Sequence, residues 1–184
     1  MELIFEVLVT LAAATSLGLA VWSGRGHFQS DKMPLGSMII AVTILVTTAL
    51  DLYLVWSREQ PLAALIVGLV LQAGGISLFA LTIRASREAR LRMAFDEGNP
   101  RGLVREGPYR YVRHPFYVSY IIYFSGFAIA TWSIVAIFPI AIILVIYITA
   151  ARMEEAKFAN TAMAAEYEEY RRTTGFFFPK IAGA

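Results

Sequence analysis

The chain has no cysteine and few charged residues. The lack of cysteine excludes disulfides, thiolate metal ligands and a cysteine nucleophile among these 184 residues. Charged residues make up 16% of the chain, whereas a soluble domain carries about a quarter. Hydrophobic residues make up 58%. This balance is typical of a small membrane protein with room for a handful of spans.

Histidine is also scarce. His27 and His114 are far apart in sequence, so we expect no histidine-built metal site. His27 lies among glycines, and we expect it to be solvated. The chain begins with acidic residues, Glu2 and Glu6, where a cleavable signal peptide would be basic. We therefore expect the first apolar stretch to remain in the protein as a span.

Long apolar runs are abundant, and a transmembrane helix needs about 20 such residues. The first three runs each predict one span: 3–22, 35–56 and 62–83. The fourth run, 116–151, is too long for one span and too short for two full ones. It is interrupted at Thr131 to Ser133, and Pro139 follows. We predict a tight hairpin of two shorter helices, 116–131 and 134–151; the alternative is one long, tilted, kinked helix.

Basic residues are concentrated on one side of this arrangement. Loop 84–115 holds eight arginines: Arg84, Arg87, Arg90, Arg92, Arg101, Arg105, Arg110 and Arg113. With five spans, this loop, loop 23–34 and the tail from 152 share one side, which the positive-inside rule makes cytoplasmic. The prediction is an all-α polytopic membrane protein, one domain over residues 1–184, with the N-terminus outside. We expect a prokaryotic inner membrane because the chain is short and lacks cysteine.

Two segments outside the spans contain strong helix formers. Residues 84–95 should continue the third helix out of the membrane, until Asp96 to Gly102 breaks it. The tail, roughly 152–172, should form a cytoplasmic helix that lies on the interface. Inside the spans, Asp51 is an intramembrane carboxylate. We expect it to have a structural role, such as pairing with Arg58 or binding a backbone group.

The segment GPYRYVRHPFY, residues 107–117, places polar groups where a span begins. Proline is favoured in the first turn of a helix, so Pro115 should open the span with His114 just before it. The free amides of a helix N-terminus attract anions, and Arg113 and His114 add donors there. Tyr109 and Tyr117 belong to a set of aromatic residues that supply flat surface for an aromatic base. The site therefore suits an anionic, aromatic ligand.

A second polar group, ARMEEAKF, lies where the last span leaves the bilayer. Glu154 and Glu155 lie near the C-terminal end of that helix, where carboxylates oppose the helix macrodipole and need a cation or a ligand. If the last two spans form a hairpin, this point returns to the level of His114. Arg152, Glu154 and Glu155 would then converge with Arg113 and His114 at one mouth.

In this order, the two groups resemble the isoprenylcysteine carboxyl methyltransferase family and the wider phospholipid methyltransferase group. The matching positions are Gly107, Tyr109, Arg113 to Tyr117, Glu154-Glu155, Tyr167 to Arg172 and Pro179. The resemblance covers about residues 100–181. The chain departs from the pattern at Ser119, where a glycine is usual, and at Met163-Ala164, where phenylalanine-glycine is usual.

The resemblance implies that S-adenosylmethionine is the methyl donor and S-adenosylhomocysteine the product. Its implied binding residues are Tyr109, Arg113, His114, Pro115, Tyr117, Glu155, Tyr167 and Tyr170. The acceptor would be a lipid or a lipidated molecule, such as a prenylated one, methylated at a carboxylate or an amine. Arg152 would fix a carboxylate acceptor, and Glu154 or Glu155 would deprotonate an amine.

Two other functions remain open from the sequence. One is an NADPH-dependent reductase of the sterol-reductase kind, in which the arginines would bind a 2′-phosphate. The other is a non-enzymatic lipid-binding protein, whose arginine loop would bind anionic headgroups. We expect no nucleic-acid partner. The sequence leaves the oligomeric state open.

Overall fold

The computed structural model describes residues 2–28, 30, 32–89 and 91–180. Arg90 of the arginine loop and Ile181 at the end of the predicted cofactor-binding half lie outside these residues. The described chain has six α-helices and no strand. They are α1 (Glu2–Gly26), α2 (Leu35–Ser57), α3 (Leu62–Ala85), α4 (Pro115–Thr131), α5 (Ile137–Phe158) and α6 (Ala164–Thr173). The predicted all-α class is confirmed.

Four of the described segments are long and apolar enough to cross a membrane: Glu2–Gly26, Leu35–Ser57, Leu62–Ala85 and Ile134–Phe158. The shorter helix α4 has 17 residues, of which 11 are buried. The outward sides of α1, α2 and α5 carry many exposed large apolar side chains. The prediction of a polytopic helical membrane protein is therefore confirmed, with α4 as the helix most enclosed by the others.

The chain reverses between α4 and α5, as the break in the apolar run predicts. Trp132 ends α4 in the left-handed conformation, with φ 48°, and a single 3₁₀ turn leads into α5. Tyr117 near the start of α4 stacks on Tyr147 near the end of α5, with ring centroids 4.9 Å apart. The two helices are therefore antiparallel, and the alternative of one kinked helix is wrong. Helix α5 also continues past its predicted end at Ala151 to Phe158.

Small residues bring α3 and α4 into close contact. A Cβ added at Gly68 would lie 2.5 Å from the carbonyl oxygen of Gly126, and one added at Gly75 would lie 2.8 Å from that of Ser119. Small residues at a helix interface allow this approach of two backbones in a membrane protein. Ser119 replaces the usual glycine at its position and fits because its hydroxyl turns back to the Phe116 carbonyl, 2.6 Å away.

The predicted helical extension over residues 84–95 is wrong. Helix α3 ends at Ala85, and the loop beyond it folds back onto the helices. Ser37 donates a hydrogen bond to the Ala94 carbonyl at 2.5 Å, and Lys157 donates one to the Asp96 carbonyl. These tertiary hydrogen bonds satisfy the loop backbone, so they outweigh the local helix propensity of the segment.

The prediction of one continuous tail helix over roughly 152–172 is wrong. Helix α5 includes residues up to Phe158, the next five residues form turns, and α6 then begins at Ala164. The break lets Phe158 and Tyr167 stack face to face, with ring centroids 4.1 Å apart. This aromatic contact forms because the chain folds back after Phe158, and it belongs to the site described below.

The pairings suggested for Asp51 and the solvation expected of His27 are wrong, whereas a structural role for Asp51 stays a prediction. Asp51 is fully buried, and neither of its carboxylate oxygens has a hydrogen-bond partner among the described residues, so it pairs neither with Arg58 nor with a backbone group. His27 is buried, not solvated, and its Nε2 atom hydrogen-bonds with the Ser86 hydroxyl at 3.1 Å. Burial lowers the pKa of His27.

Candidate active site

The segment before α4 is held by the C-terminal segment of the chain. A 3₁₀ turn over Gly107–Arg110 leads to His114, which precedes Pro115 at the first position of α4. The Arg113 amide donates to the Gly175 carbonyl at 2.8 Å, and the Gly175 amide donates to the Tyr111 carbonyl at 3.2 Å. These backbone bonds fix the direction in which the side chains of Arg113 and His114 leave the chain.

Four side chains form a charged cluster where α4 begins and α5 ends: Arg113, His114, Glu154 and Glu155. Arg113 Nε donates to Glu155 Oε1 at 2.7 Å, and Arg113 Nη1 donates to the Thr174 carbonyl at 2.5 Å. His114 Nε2 lies 3.1 Å from the same Glu155 oxygen. Glu155 thus links the start of α4 to the end of α5, and Arg113 extends this link to the C-terminal segment.

Glu154 contacts the other side of His114. Its Oε2 atom lies 3.6 Å from His114 Nδ1, and its Oε1 atom accepts a hydrogen bond from the Tyr117 hydroxyl at 2.5 Å. Burial alone would lower the pKa of His114, but hydrogen bonds to Glu154 and Glu155 outweigh burial and raise it. Because both ring nitrogens face carboxylates, the geometry favours the doubly protonated imidazolium.

Aromatic side chains surround the charged cluster on the side of α6. Tyr170 donates a hydrogen bond to the Tyr109 carbonyl at 2.7 Å, and Tyr167 stacks on Phe158. Burial raises the pKa of Tyr109, Tyr167 and Tyr170. These three tyrosines therefore remain neutral near pH 7 and act as hydrogen-bonding and stacking groups.

Sequence reasoning did not assign the two phenylalanines that cover His114. The ring of Phe176 lies 5.1 Å from the His114 ring and that of Phe177 lies 6.1 Å away, both in edge-on contact. The Arg113 guanidinium also lies 5.6 Å from the Phe176 ring centroid. The run of three phenylalanines after the tail tyrosines was the available signal, because so apolar a segment has to pack against something.

A cavity of about 510 Å³ extends from this cluster into the helices. Its polar end is lined by Arg113, His114, Glu154, Tyr167 and Tyr170. Tyr109, Pro115 and Tyr117 line it too, so these predicted residues share one cavity. Glu155 is not among the lining residues but hydrogen-bonds to two that are. Every predicted cofactor-binding residue except Glu155 therefore lines a single cavity, and Glu155 is bonded to two of them.

The other end of the cavity is an apolar cleft between α1 and α2. Leu17 and Val21 of α1 face Ile40, Ile44 and Leu45 of α2 across it. Val21 and Leu45 are each more than half exposed, which means that the cleft reaches the outer surface of the helices. At the far end of the two helices, Trp56 Nε1 donates to the Thr10 hydroxyl at 3.0 Å. A lipid chain fits such a lipid-facing opening.

Arg152 is the predicted site residue that the structure does not bring to the cavity. Its side chain is exposed on α5 and lies outside the cavity lining. Of the arginines that line the cavity, Arg113 is paired with Glu155 and Arg92 with Asp96 at 2.9 Å, while Arg25 lies in the last turn of α1. At the charged cluster itself, the cavity lining therefore offers Glu154 and a paired arginine to a molecule in the cavity.

These features define a helical membrane protein with a charged, aromatic site at the mouth of a lipid-facing cavity. Residues 63–166 match the phospholipid methyltransferase family. Because this range covers more than half of the 184 residues, the chain belongs to that family. A comparison with curated proteins gave no significant match. The family confirms the resemblance drawn from the motifs and indicates a membrane methyltransferase with a lipid substrate.

The matched range contains the charged cluster and ends just before two of the tail tyrosines. Helices α3, α4 and α5 lie within it almost completely, together with Arg113, His114, Glu154 and Glu155. Tyr167 and Tyr170 follow it. The family assignment therefore rests on the half of the molecule in which the cluster is built, and the apolar cleft is contributed largely by α1 and α2.

Proposed function

We propose that this protein is an S-adenosylmethionine-dependent methyltransferase that methylates an amine carried by a lipid. The observation that carries the proposal is the single cavity that joins the charged cluster to the apolar cleft between α1 and α2. A polar donor and a lipid acceptor would meet in this cavity. The reacting group of the lipid would then lie beside Glu154, with its chains in the cleft.

The groups at the polar end fit the donor. S-adenosylmethionine offers a carboxylate, an ammonium, ribose hydroxyls and an adenine ring. The first-turn amides of α4, at Phe116 and Tyr117, have no partner within the helix and suit a carboxylate. The stacked pair of Phe158 and Tyr167 offers an edge and a face for adenine.

Arg113 and His114 contribute to this site mainly through Glu155. Both donate to its Oε1 atom, and His114 also faces Glu154, so the two positive charges are balanced by two carboxylates. They would hold the start of α4 and the end of α5 in the geometry that the donor needs. We therefore expect the loss of His114 to lower donor affinity by loosening this geometry while the chain remains folded.

The charges in the cavity favour an amine acceptor over a carboxylate. A carboxylate acceptor needs a free cation beside it, and the candidate for that role, Arg152, is exposed outside the cavity. Glu154, which lines the cavity, would repel such an acceptor. A lipid ammonium would be attracted to Glu154.

The residues of the chain can carry out the transfer as follows. Glu154 accepts a hydrogen bond from the ammonium and takes its proton, which frees the nitrogen lone pair. The Tyr117 hydroxyl holds Glu154 in place for this step. S-adenosylmethionine, when bound, supplies an electrophilic methyl group, and the nitrogen–carbon bond forms as the carbon–sulfur bond breaks. The apolar cleft and the two phenylalanines exclude water, and alignment of the reactants supplies several kcal/mol.

The first experiment is a calorimetric titration of the detergent-purified protein with S-adenosylhomocysteine, with NADPH as the parallel ligand. We expect saturable binding of the first alone. Transfer of a labelled methyl group to phosphatidylethanolamine and to a fatty acid then tests the acceptor class. Heat from NADPH alone would replace the proposal with the reductase function, and methylation of the fatty acid alone would refute the amine acceptor.

Two variants make the assignment of Glu154 testable. Glu154→Gln should keep its affinity for S-adenosylhomocysteine and lose about 10²-fold or more in turnover, because the proton acceptor is removed. Arg152→Ala is the matched control on the same helix and should keep both. Loss of turnover in Arg152→Ala with none in Glu154→Gln would exchange the roles of the two residues.

A further inference from the structure

Tyr147 lines the cavity but has no role in the chemistry described so far. It lies on α5 and is 1% exposed. Its hydroxyl has no hydrogen-bond partner among the described residues. A buried hydroxyl without a partner is costly, because the group loses its hydrogen bonds to water and gains none in return. A ligand that enters the cavity would remove this cost.

The position of Tyr147 relates it to the reacting group. Residues 147 and 154 are two turns apart on α5, about 10 Å along the helix axis. Glu154 lies at the polar end, so Tyr147 is anchored deeper among the membrane helices. Its ring stacks on that of Tyr117, whose hydroxyl donates to Glu154. Tyr120 completes this aromatic wall, with its ring centroid 5.7 Å from that of Tyr147.

We propose that the Tyr147 hydroxyl donates a hydrogen bond to an oxygen of the lipid acceptor, on the membrane side of the reacting amine. This proposal rests on the amine methyltransferase function above. The oxygen is an ester carbonyl or a phosphodiester oxygen, both of which lie between the amine and the hydrocarbon chains of a phospholipid. The bond sets the depth of the lipid so that its amine reaches Glu154. Tyr147 thereby selects lipid amines that carry such an oxygen over simple alkylamines.

The chain provides a matched control for this hydroxyl. Tyr123 on α4 is also buried, and its hydroxyl likewise has no hydrogen-bond partner among the described residues. Tyr123 does not line the cavity. Tyr123→Phe and Tyr147→Phe each remove one oxygen and keep the ring, so packing is equally preserved in both. A difference between the two variants therefore reports on the cavity and not on burial.

The test measures methyl transfer by the wild type and the two variants to three acceptors. These are phosphatidylethanolamine, an ether-linked phosphatidylethanolamine without ester carbonyls, and dodecylamine. In Tyr147→Phe we expect the KM for phosphatidylethanolamine to rise about tenfold, as the loss of one hydrogen bond predicts. The KM for dodecylamine should change by less than about twofold on the same reasoning, since dodecylamine carries no oxygen for the hydroxyl to bind. Tyr123→Phe should match the wild type on all three.

The ether-linked lipid identifies the oxygen. An effect of Tyr147→Phe that persists with this acceptor assigns the bond to a phosphodiester oxygen, and an effect that disappears assigns it to an ester carbonyl; either result supports the proposal. Equal behaviour of Tyr147→Phe and Tyr123→Phe, or an equal rise in KM for dodecylamine, overturns it.

Two further measurements separate this proposal from the one on which it rests. Calorimetry with S-adenosylhomocysteine checks that Tyr147→Phe still binds the product, and a parallel loss of that affinity would overturn the role in acceptor binding. A wild-type protein that methylates none of the three amines would overturn the amine function itself. That result appears before any variant is compared, so the two failures are distinguishable.

Discussion

Two arginines approach the same carboxylate, and the structure predicts very different energies for them. Arg113 Nε lies 2.7 Å from Glu155, and the side chain is 9% exposed. Arg171 Nε lies 3.7 Å from Glu155, and that side chain is 47% exposed. Removing one partner of a buried ion pair costs about 3–5 kcal/mol, whereas an exposed pair contributes about 0–1 kcal/mol. Arg113→Ala should therefore destabilise the protein several times more than Arg171→Ala.

An intermediate variant divides the effect of Arg113 into charge and shape. Arg113→Lys keeps the charge but loses the planar fork that reaches both Glu155 and the Thr174 carbonyl. It should lose one of the two bonds, at about 1.5–3 kcal/mol for a hydrogen bond to a charged group. It should thus fall between Arg171→Ala and Arg113→Ala.

The assay is equilibrium unfolding of the ligand-free protein in one detergent, followed by far-ultraviolet circular dichroism. Ligand-free protein is used so that a change in donor affinity does not enter the result. Equal losses of unfolding free energy for Arg113→Ala and Arg171→Ala would refute the reasoning. That outcome would mean that the pair between Arg113 and Glu155 is hydrated despite its low exposure.

Two other predictions follow from the packing and the charges. Gly75→Ala should destabilise the protein by about 1–3 kcal/mol because its Cβ would meet the α4 backbone. A Cβ at Gly74 would have no atom within 4 Å, so Gly74→Ala should be neutral or stabilising in the same unfolding assay. A loss of stability in both variants would refute this account. The raised pKa of His114 implies that its pairs with Glu154 and Glu155 stabilise the protein fully below about pH 6.5 and are lost as the pH rises through the higher folded-state value. The unfolding temperature should therefore fall as the pH rises above about 6.5 in the wild type and fall less in His114→Gln, and identical slopes would contradict the pairing.

The sequence predicts those parts of the fold that depend on apolar length and on proline. Helices α2 and α3 begin directly after Pro34 and Pro61, and their predicted bounds are correct within two residues. Sequence reasoning places the last turns of α5 in the tail because Arg152, Glu154 and Glu155 are polar. In the structure they continue the helix, because Glu155 is bound by residues from before α4.

The parts that sequence reasoning missed depend on tertiary contacts. Residues 84–95 have strong helix propensity, but hydrogen bonds from α2 to Ala94 and from α5 to the adjoining Asp96 hold the segment as a loop. Tyr147 lies in an apolar run, where a tyrosine is usually a packing residue; only the cavity and its unpartnered hydroxyl distinguish it. Motif spacing predicted which residues assemble at the cluster, but it could not show that Arg152 points away from them.

The contact between Gly175 and the segment before α4 sets an order of events during synthesis. Residues 174–177, which bind Arg113 and cover His114, follow helices α1 to α5 along the chain. At about 5–20 residues per second, a ribosome completes the last span seconds before these residues have emerged. A nascent chain can therefore insert its helices while its site is still open to water on one side. The site is covered only when residues 174–177 have folded back over it.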